Sequence, residues 1–190
     1  MELVELADGV RLLSRSLREA AISHAFGGAI AYGLYGIPRG TNDWDINVFC
    51  SEEHAGEVFA ALAPIGVESG EASYAEVDKK GQVRLSWGDK KVDLFFAYSP
   101  FHTVVQTRIR EAEFEGEPIW VLAGEDIIVF KVLFNRAHDW RDIERIFQRM
   151  GEGIDLDYVN HWLAEILGAD DSRIERLRET VETAAKLMAE

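Results

Sequence analysis

The sequence predicts an α/β (α+β) protein in which a short mixed β-sheet is flanked by helices and followed by a C-terminal helical region. Two observations predict this class. Before about residue 125, short runs of alternating hydrophobic residues are separated by segments with helical periodicity. From Asp126 onward the periodicity is helical throughout. We therefore expect one domain over residues 1–125 and a helical cap over residues 126–190 packed on it.

The composition is typical of a folded intracellular protein. Hydrophobic residues make up 47% and aromatic residues 11% of the 190 residues, enough to form a core. The net charge of −14 argues against a protein that coats nucleic acid, so general DNA binding is not expected. The single cysteine, Cys50, permits no internal disulfide. Because the sequence has neither a signal peptide pattern nor a membrane-spanning run, we expect a cytoplasmic protein without membrane contact.

Caps and turns predict the first elements. Residues 8–21 have apolar side chains at helical spacing after an Asp8 cap, which predicts an amphipathic helix. A short strand over residues 23–26 leads to Gly27-Gly28, and a second, mostly buried helix follows.

The middle of the chain alternates between strand and helix patterns. Residues 44–49 alternate between apolar and polar side chains and predict a strand, after which residues 51–66 predict a helix capped by Ser51. Residues 81–99 contain two β runs joined by a turn and predict a hairpin. Residues 114–124 predict a single further strand, and four helices are predicted beyond it.

Three aspartates form the most informative pattern. Asp43 and Asp45 lie two residues apart on a predicted strand, so both side chains point to the same face. Asp93 lies in an apolar run of the predicted hairpin, where an ionised carboxylate requires compensation. Three carboxylates on adjacent strands would bind Mg²⁺ and leave positions open for substrate phosphates. The structural alternative for Asp43 and Asp45 is a solvated or turn-capping pair. For Asp93 it is an ion pair with a neighbouring lysine or a position at the edge of the sheet.

The glycine pair before the second helix suggests an anion site. Without side chains, the backbone at Gly27-Gly28 can approach an anion closely. The N–H groups and the dipole of the following helix also favour negative charge. Ordinary turn chemistry is the alternative explanation.

The order of these features resembles the DNA polymerase β-like nucleotidyltransferase superfamily. Its signature is a glycine turn before a helix, Asp-x-Asp on the next strand and a third acid on a later strand. The corresponding residues are Gly27-Gly28, Asp43-Trp44-Asp45 and Asp93. The segment from Arg39 to Asp45 is similar to that of small bacterial and archaeal members, which include minimal and antibiotic nucleotidyltransferases and abortive-infection toxins. A looser resemblance, to the helical part of the toxin-like members, covers the helix start at residues 122–126, Lys131 and residues 138–143.

The resemblance implies a nucleotidyltransferase reaction in residues 1–125. Asp43, Asp45 and Asp93 would hold two Mg²⁺ ions, with Mn²⁺ as the alternative, and Asp93 would help deprotonate the acceptor. A nucleoside monophosphate would pass from a nucleoside triphosphate such as ATP to a hydroxyl group, with release of pyrophosphate. The implied nucleotide-binding residues are Gly27, Gly28, Arg39, Thr41 and Lys131.

Several charged residues also have structural explanations. Arg39 can instead form a salt bridge that holds its loop, and Lys131 can extend its stem to solvent. Three arginines at four-residue intervals form either a solvated helix face or a surface for a polyanionic acceptor; they are Arg141, Arg145 and Arg149. Asp139 and Asp142 are expected to be helix caps and partners of these arginines rather than catalytic groups. Among the histidines, His102 is of interest because it follows the Asp93 hairpin.

The acceptor and the biological setting stay open at this stage. The acceptor can be tRNA, a protein or a small hydroxylated molecule such as an aminoglycoside. With a macromolecular acceptor, the chain would be the toxin of a toxin–antitoxin pair and would have an antitoxin partner. A different class of function is a non-catalytic nucleotide-binding module on the same scaffold.

Overall fold

The structure of the protein is a computed structural model that describes residues 5–189. Glu190, at the end of the last predicted helix, lies outside this range. The chain divides into two compact units, the first formed by Met1–Ile30 and Gly40–Leu122 and the second by Ala31–Arg39 and Ala123–Glu190. The second unit thus includes residues 31–39, which the sequence analysis assigns to the first domain.

The first unit contains a six-stranded mixed sheet with the strand order β3-β4-β2-β1-β6-β5. The strands are β1 His24–Phe26, β2 Asp43–Val48, β3 Gln82–Trp87, β4 Lys90–Phe96, β5 Arg110–Phe114 and β6 Glu117–Val121. Strand β2 pairs antiparallel with β1 and parallel with β4, and β1 pairs parallel with β6. The predicted short mixed sheet is confirmed.

Two hairpins form the edges of the sheet. The predicted hairpin is confirmed, because β3 and β4 pair antiparallel across Gly88-Asp89. The single strand predicted over residues 114–124 is wrong, since this region belongs to the β5–β6 hairpin with a turn at Glu115-Gly116. Strand β5 is an edge strand with mostly polar residues and no fully buried side chain. It therefore has no hydrophobic alternation from which it could be recognised.

Helix α1 spans Leu6–Glu19 and packs on the apolar face of the sheet. Gly9 permits this contact, because a Cβ atom there would lie 2.1 Å from the Trp44 ring. The indole N–H of Trp44 donates to the carbonyl of Leu6 at 3.2 Å. The predicted Asp8 cap is wrong, since the helix begins one turn earlier and Asp8 instead pairs with Arg11 in its first turn.

Three further helices belong entirely to the first unit: α3 Ala55–Leu62, α4 Glu71–Lys80 and α5 Pro100–Arg108. The helix predicted over residues 51–66 is shorter, because 3₁₀ turns precede and follow α3. Ser51 does not cap it through its side chain and bonds instead to the ring of His54. Helices α4 and α5 were not predicted. Val77 is the one fully buried residue of α4, so that helix lacks a repeating apolar stripe.

The second unit is helical. It contains α6 Gly124–Phe134, α7 Ala137–Met150, α8 Leu156–Leu167 and α9 Ser172–Ala189, and also most of α2, which spans Gly28–Tyr35. The four predicted C-terminal helices are confirmed. Their buried apolar residues include Ile128, Ile143, Leu163 and Leu177, one on each helix. Within residues 5–189, no helix is both long enough and apolar enough to span a membrane.

Candidate active site

The sheet register brings the candidate carboxylates of the first unit together. Asp45 of β2 is directly paired with Asp93 of the parallel neighbour β4. Asp43 lies two residues before Asp45, so all three side chains leave the same face of the sheet. The opposite face of β2 carries the fully buried Trp44 and Ile46. The alternation of β2 therefore separates a polar, acidic face from the core.

Asp93 is compensated by an arginine that the sequence analysis did not single out. The Nε–H of Arg84 donates to Asp93 Oδ1 at 2.7 Å, and its Nη2 donates to Asp93 Oδ2 at 2.5 Å. The same Nη2 lies 3.7 Å from Asp43 Oδ2. These contacts raise the pKa of Arg84 above its ordinary value, chiefly through the hydrogen bonds to Asp93. The compensating partner is thus Arg84 on β3 rather than the lysine of the structural alternative.

The turn at Gly27-Gly28 is shaped around Asp45. The N–H of Gly27 donates to the backbone carbonyl of Asp45 at 2.8 Å. Gly28 has a φ of +46°, and a Cβ atom at this position would lie 1.7 Å from Asp45 Oδ2. Only glycine combines this backbone conformation with the close approach of the carboxylate. The carboxylate of Asp45 therefore lies beside the first residue of α2.

Thr41 forms hydrogen bonds with Asp43. Its hydroxyl group donates to Asp43 Oδ1, and the backbone N–H of Asp43 is 3.4 Å from the same hydroxyl oxygen. Thr41 was predicted as a nucleotide-binding residue, and that role stays a prediction. Its contacts in this structure orient the Asp43 side chain.

The three carboxylates have the donor chemistry that a divalent cation requires. Their hard oxygen atoms suit Mg²⁺ or Mn²⁺, and Arg84 already brings positive charge between Asp43 and Asp93. Across residues 5–189, the structure has no cluster of three or more His, Cys, Asp or Glu side chains arranged to hold a metal ion. At this face, both oxygens of Asp93 are bonded to Arg84. The residues fit the cation, provided that Asp93 turns away from the guanidinium.

The second unit contains a separate group of buried charges. Lys131 Nζ lies 2.7 Å from Asp142 Oδ2 and 3.4 Å from Asp139 Oδ1, and the lysine side chain is only 7% exposed. The alternative in which Lys131 reaches solvent is therefore wrong. Asp142 also lies 3.7 Å from Arg39, the salt bridge expected in the structural alternative for that residue. Nucleotide binding by Arg39 and Lys131 stays a prediction.

Asp139 has a second cationic partner in Arg136. The side chain and the backbone N–H of Arg136 both donate to Asp139. Burial opposes the ionised form of Asp139, but these hydrogen bonds and the charge of Lys131 outweigh it and lower the pKa. Asp139 caps α7 by accepting the backbone N–H of Arg136, so the expected cap is confirmed for this residue. The expected pairing of Asp139 and Asp142 with the arginine row is wrong for the contacts described. In that row, Arg149 donates instead to the carbonyl of Gly36 at 2.8 Å.

The contacts of His102 are those of a buried residue in the protein interior. It is buried in α5, its Nδ1 is 2.8 Å from Ser99 Oγ, and its ring lies against Tyr98. Burial lowers the pKa of His102 to about 4, so the ring is neutral near pH 7.

Arg84 is the site residue that sequence reasoning missed, although a signal for it existed. A two-residue turn at Gly88-Asp89 pairs Trp87 with Lys90, and counting back three pairs gives Arg84 opposite Asp93. The predicted hairpin therefore contained this cross-strand pair.

The chain was compared with family models, with curated proteins and with solved structures. No family model matches the chain, and no curated protein matches it. Solved structures do match. The structure of ANT(2'')-Ia in complex with adenylyl-2''-tobramycin aligns with a TM-score of 0.52 and 17% identity, over 93% of this chain and 97% of that one. The solution structure of the antibiotic-resistance factor ANT(2'')-Ia aligns with a TM-score of 0.51 and 17% identity, over 96% and 94%.

A third structure agrees with these. An antigenic nucleotidyltransferase-like protein from Paracoccidioides brasiliensis aligns with a TM-score of 0.52 and 18% identity, over 90% of this chain and 92% of that one. The chain has the nucleotidyltransferase fold. The predicted fold class is therefore confirmed. Within this nucleotidyltransferase fold, the glycine turn follows β1, Asp43 and Asp45 lie on β2, and Asp93 lies on the adjacent strand β4.

Proposed function

We propose that the chain is a divalent metal-dependent nucleotidyltransferase. The observation that carries the proposal is the parallel pairing of Asp45 with Asp93, with Asp43 on the same face of the sheet. The nucleotidyltransferase fold, matched over at least 90% of this chain, supports the reaction class. The reaction forms a bond between an acceptor oxygen and the α-phosphorus of a nucleoside triphosphate, and breaks the bond from that phosphorus to pyrophosphate.

The chain's own residues bind and orient the reactants. Asp43, Asp45 and Asp93 would hold two Mg²⁺ ions, or Mn²⁺ ions in their place. When bound, these ions neutralise the charge of the triphosphate and the charge that develops in the transition state. One oxygen of Asp93 accepts the proton of the attacking hydroxyl group after the carboxylate leaves Arg84. Thr41 keeps Asp43 in its orientation through its hydroxyl hydrogen bond.

Nucleotide binding is assigned to the glycine turn and to three polar residues. Gly27 precedes α2 and Gly28 begins it, and the N-terminal N–H groups of this helix favour a phosphate. Thr41, Arg39 and Lys131 are the further candidates. For Lys131, contact with a phosphate requires that its ammonium group exchange at least one bond to Asp139 or Asp142. We use ATP as the first nucleotide to test.

A small hydroxylated molecule is the first acceptor to test. The support is the alignment over 93% of this chain with ANT(2'')-Ia, whose structure contains adenylyl-2''-tobramycin. The second acceptor class is a macromolecule, tRNA or protein, in which case the chain would act as a toxin with an antitoxin partner. Growth arrest on expression that disappears with Asp43→Asn would support this second class.

A non-catalytic nucleotide-binding module is the alternative function, and one observation favours it. Arg84 occupies both oxygens of Asp93, which reduces the negative charge available for a catalytic metal. A binding module would bind ATP in calorimetry without releasing pyrophosphate under any acceptor condition.

The two functions are separated by incubation of the protein with α-labelled nucleoside triphosphates and a divalent cation. Aminoglycosides, other small hydroxylated compounds, total tRNA and protein serve as acceptors in separate reactions. An enzyme releases pyrophosphate and leaves the label on one acceptor class. Binding of nucleotide without label transfer supports the module, and the absence of both rejects the two proposals.

A further inference from the structure

Arg84 holds the position of a counter-ion at the acidic face. Its guanidinium group makes two parallel hydrogen bonds to Asp93 and lies 3.7 Å from Asp43. It therefore already supplies part of the positive charge that the carboxylates need. The pair is anchored by the direct pairing of Arg84 with Asp93 across the β3–β4 hairpin.

The guanidinium group and a divalent cation cannot both occupy Asp93 in this arrangement. Each oxygen of Asp93 accepts a hydrogen bond from Arg84, so ligation of a cation by that carboxylate breaks at least one of them. The two positive charges also repel each other at the short distance that shared ligation would impose.

The guanidinium group of Arg84 can move away from Asp93 without disturbing the core. Its side chain is 59% exposed, whereas the side chain of Asp93 is 12% exposed. The neighbours of Arg84 on β3, Val83 and Leu85, point to the opposite face and are buried. The strand therefore stays anchored when the guanidinium group moves into solvent. In solvent, water accepts the hydrogen bonds that the guanidinium group no longer donates to Asp93, so a divalent cation can displace it.

We propose that Arg84 is an internal competitor for the divalent cation at the Asp43–Asp45–Asp93 face, so that the metal enters only as the guanidinium group leaves Asp93. This inference rests on the proposed role of the three aspartates. It adds a residue that determines how tightly the free protein holds the ion. Removal of Arg84 tightens metal binding, whereas removal of a merely structural arginine would weaken it or leave it unchanged.

The test measures binding of Mn²⁺ alone to the full chain by electron paramagnetic resonance of the free ion. Arg84→Gln removes the competing charge, and Arg84→Lys keeps the charge but loses the two-pronged contact. Lys79→Gln is the matched control, because it removes one positive charge from the exposed surface of α4 and leaves Arg84 in place. The double variant Arg84→Gln/Asp93→Asn tests whether the gain depends on Asp93.

We expect Arg84→Gln to bind Mn²⁺ roughly three- to tenfold more tightly than the wild type, with a smaller gain for Arg84→Lys. Lys79→Gln should match the wild type, and the double variant should lose the gain. Equal or weaker binding by Arg84→Gln overturns the inference, as does the absence of Mn²⁺ binding in every protein. If thermal unfolding shows that Arg84→Gln is not folded, Arg84→Lys decides by the same criterion.

This experiment separates the inference from the proposed function. Label transfer by the wild type without tighter Mn²⁺ binding by Arg84→Gln rejects the inference and leaves the function intact. Tighter, Asp93-dependent Mn²⁺ binding without label transfer by the wild type supports the inference and rejects the enzyme.

Discussion

The carboxylate of Asp45 lies where a side chain at Gly28 would begin. A Cβ atom at position 28 would be 1.7 Å from Asp45 Oδ2, a distance that no real Cβ contact allows. The glycine turn and the acidic strand thus depend on each other: the turn adopts a positive φ, and the carboxylate uses the space that this glycine leaves.

Substitution of Gly28 tests this dependence. Gly28→Ala should lower the free energy of unfolding by about 1–3 kcal/mol, because alanine is strained at a φ of +46° and Asp45 must move. We also expect weaker binding of Mn²⁺, since Asp45 is one of the proposed ligands. Urea denaturation and Mn²⁺ titration measure the two effects.

Gly33→Ala is the matched control in the same helix. The nearest atoms to a Cβ there belong to Pro38, at 3.9 Å or more, so the methyl group fits. Alanine in a helix is more stable than glycine by about 0.5–1 kcal/mol, so this variant should be neutral or stabilised. If Gly28→Ala behaves like Gly33→Ala, the close approach of Asp45 to the turn is not important for stability.

Thr41 provides a finer test of how Asp43 is oriented. Thr41→Val keeps the shape of the side chain but loses the hydroxyl donor to Asp43 Oδ1. We expect the rate of nucleotidyl transfer to fall roughly three- to tenfold, which corresponds to one ordinary hydrogen bond, with little loss of stability. The control is Thr107→Val, which removes a hydroxyl group bonded to the carbonyl of Val104. Equal rates in the two variants would show that the Thr41 hydroxyl group has no role in the active site.

The buried charges of the second unit should matter for folding. Lys131→Ala leaves Asp139 and Asp142 without the ammonium group that lies between them. The free energy of unfolding should therefore fall by about 3–5 kcal/mol, the usual effect of removing one partner of a buried ion pair. Denaturant unfolding gives the value. Lys186→Ala, at an exposed position of α9, should change it by less than about 0.5 kcal/mol. A small effect for both variants would contradict the buried ion pair.

Histidine burial predicts how stability depends on pH. The folded state holds His102 at a pKa of about 4, whereas an unfolded histidine has a pKa near 6.5. Between these values the unfolded state binds more protons, so stability falls as the pH falls from 6.5 to 4, by about 3 kcal/mol at most. The lowered pKa of His24, also due chiefly to burial, acts in the same direction.

His102→Asn should flatten the stability profile measured by urea denaturation over this pH range. His161→Asn is the control, because His161 is exposed on α8, and it should retain the wild-type slope. An unchanged slope in His102→Asn would show that His102 does not stay neutral in the folded protein.

The elements with regular patterns could be predicted from the sequence. Strand β2 was recognisable because Trp44 and Ile46 alternate with aspartates, and the β3–β4 hairpin because a glycine turn joins two apolar runs. Helix α4 could not be recognised, since Val77 alone is fully buried in it. Strand β5 is an edge strand whose exposed, charged residues resemble those of a loop.

In the candidate site, too, local sequence patterns predict some of the contacts and not the tertiary ones. The common face of Asp43 and Asp45 follows from strand periodicity, and the Arg84–Asp93 pair follows from the hairpin turn. The pairing of Asp45 with Asp93 depends on β2 and β4 being parallel neighbours, which no local pattern specifies. The approach of Asp45 to Gly28 is likewise a tertiary contact.

Transfer of label from an α-labelled nucleoside triphosphate tests the central claim most directly. We expect the wild-type protein with Mg²⁺ to label one acceptor class, and Asp45→Asn to reduce the rate by about a hundredfold or more. Asp89→Asn, at the exposed turn of the β3–β4 hairpin, is the control and should transfer normally. Equal transfer by the wild type and Asp45→Asn would contradict the account, as would the absence of metal-dependent transfer by the wild type to every acceptor.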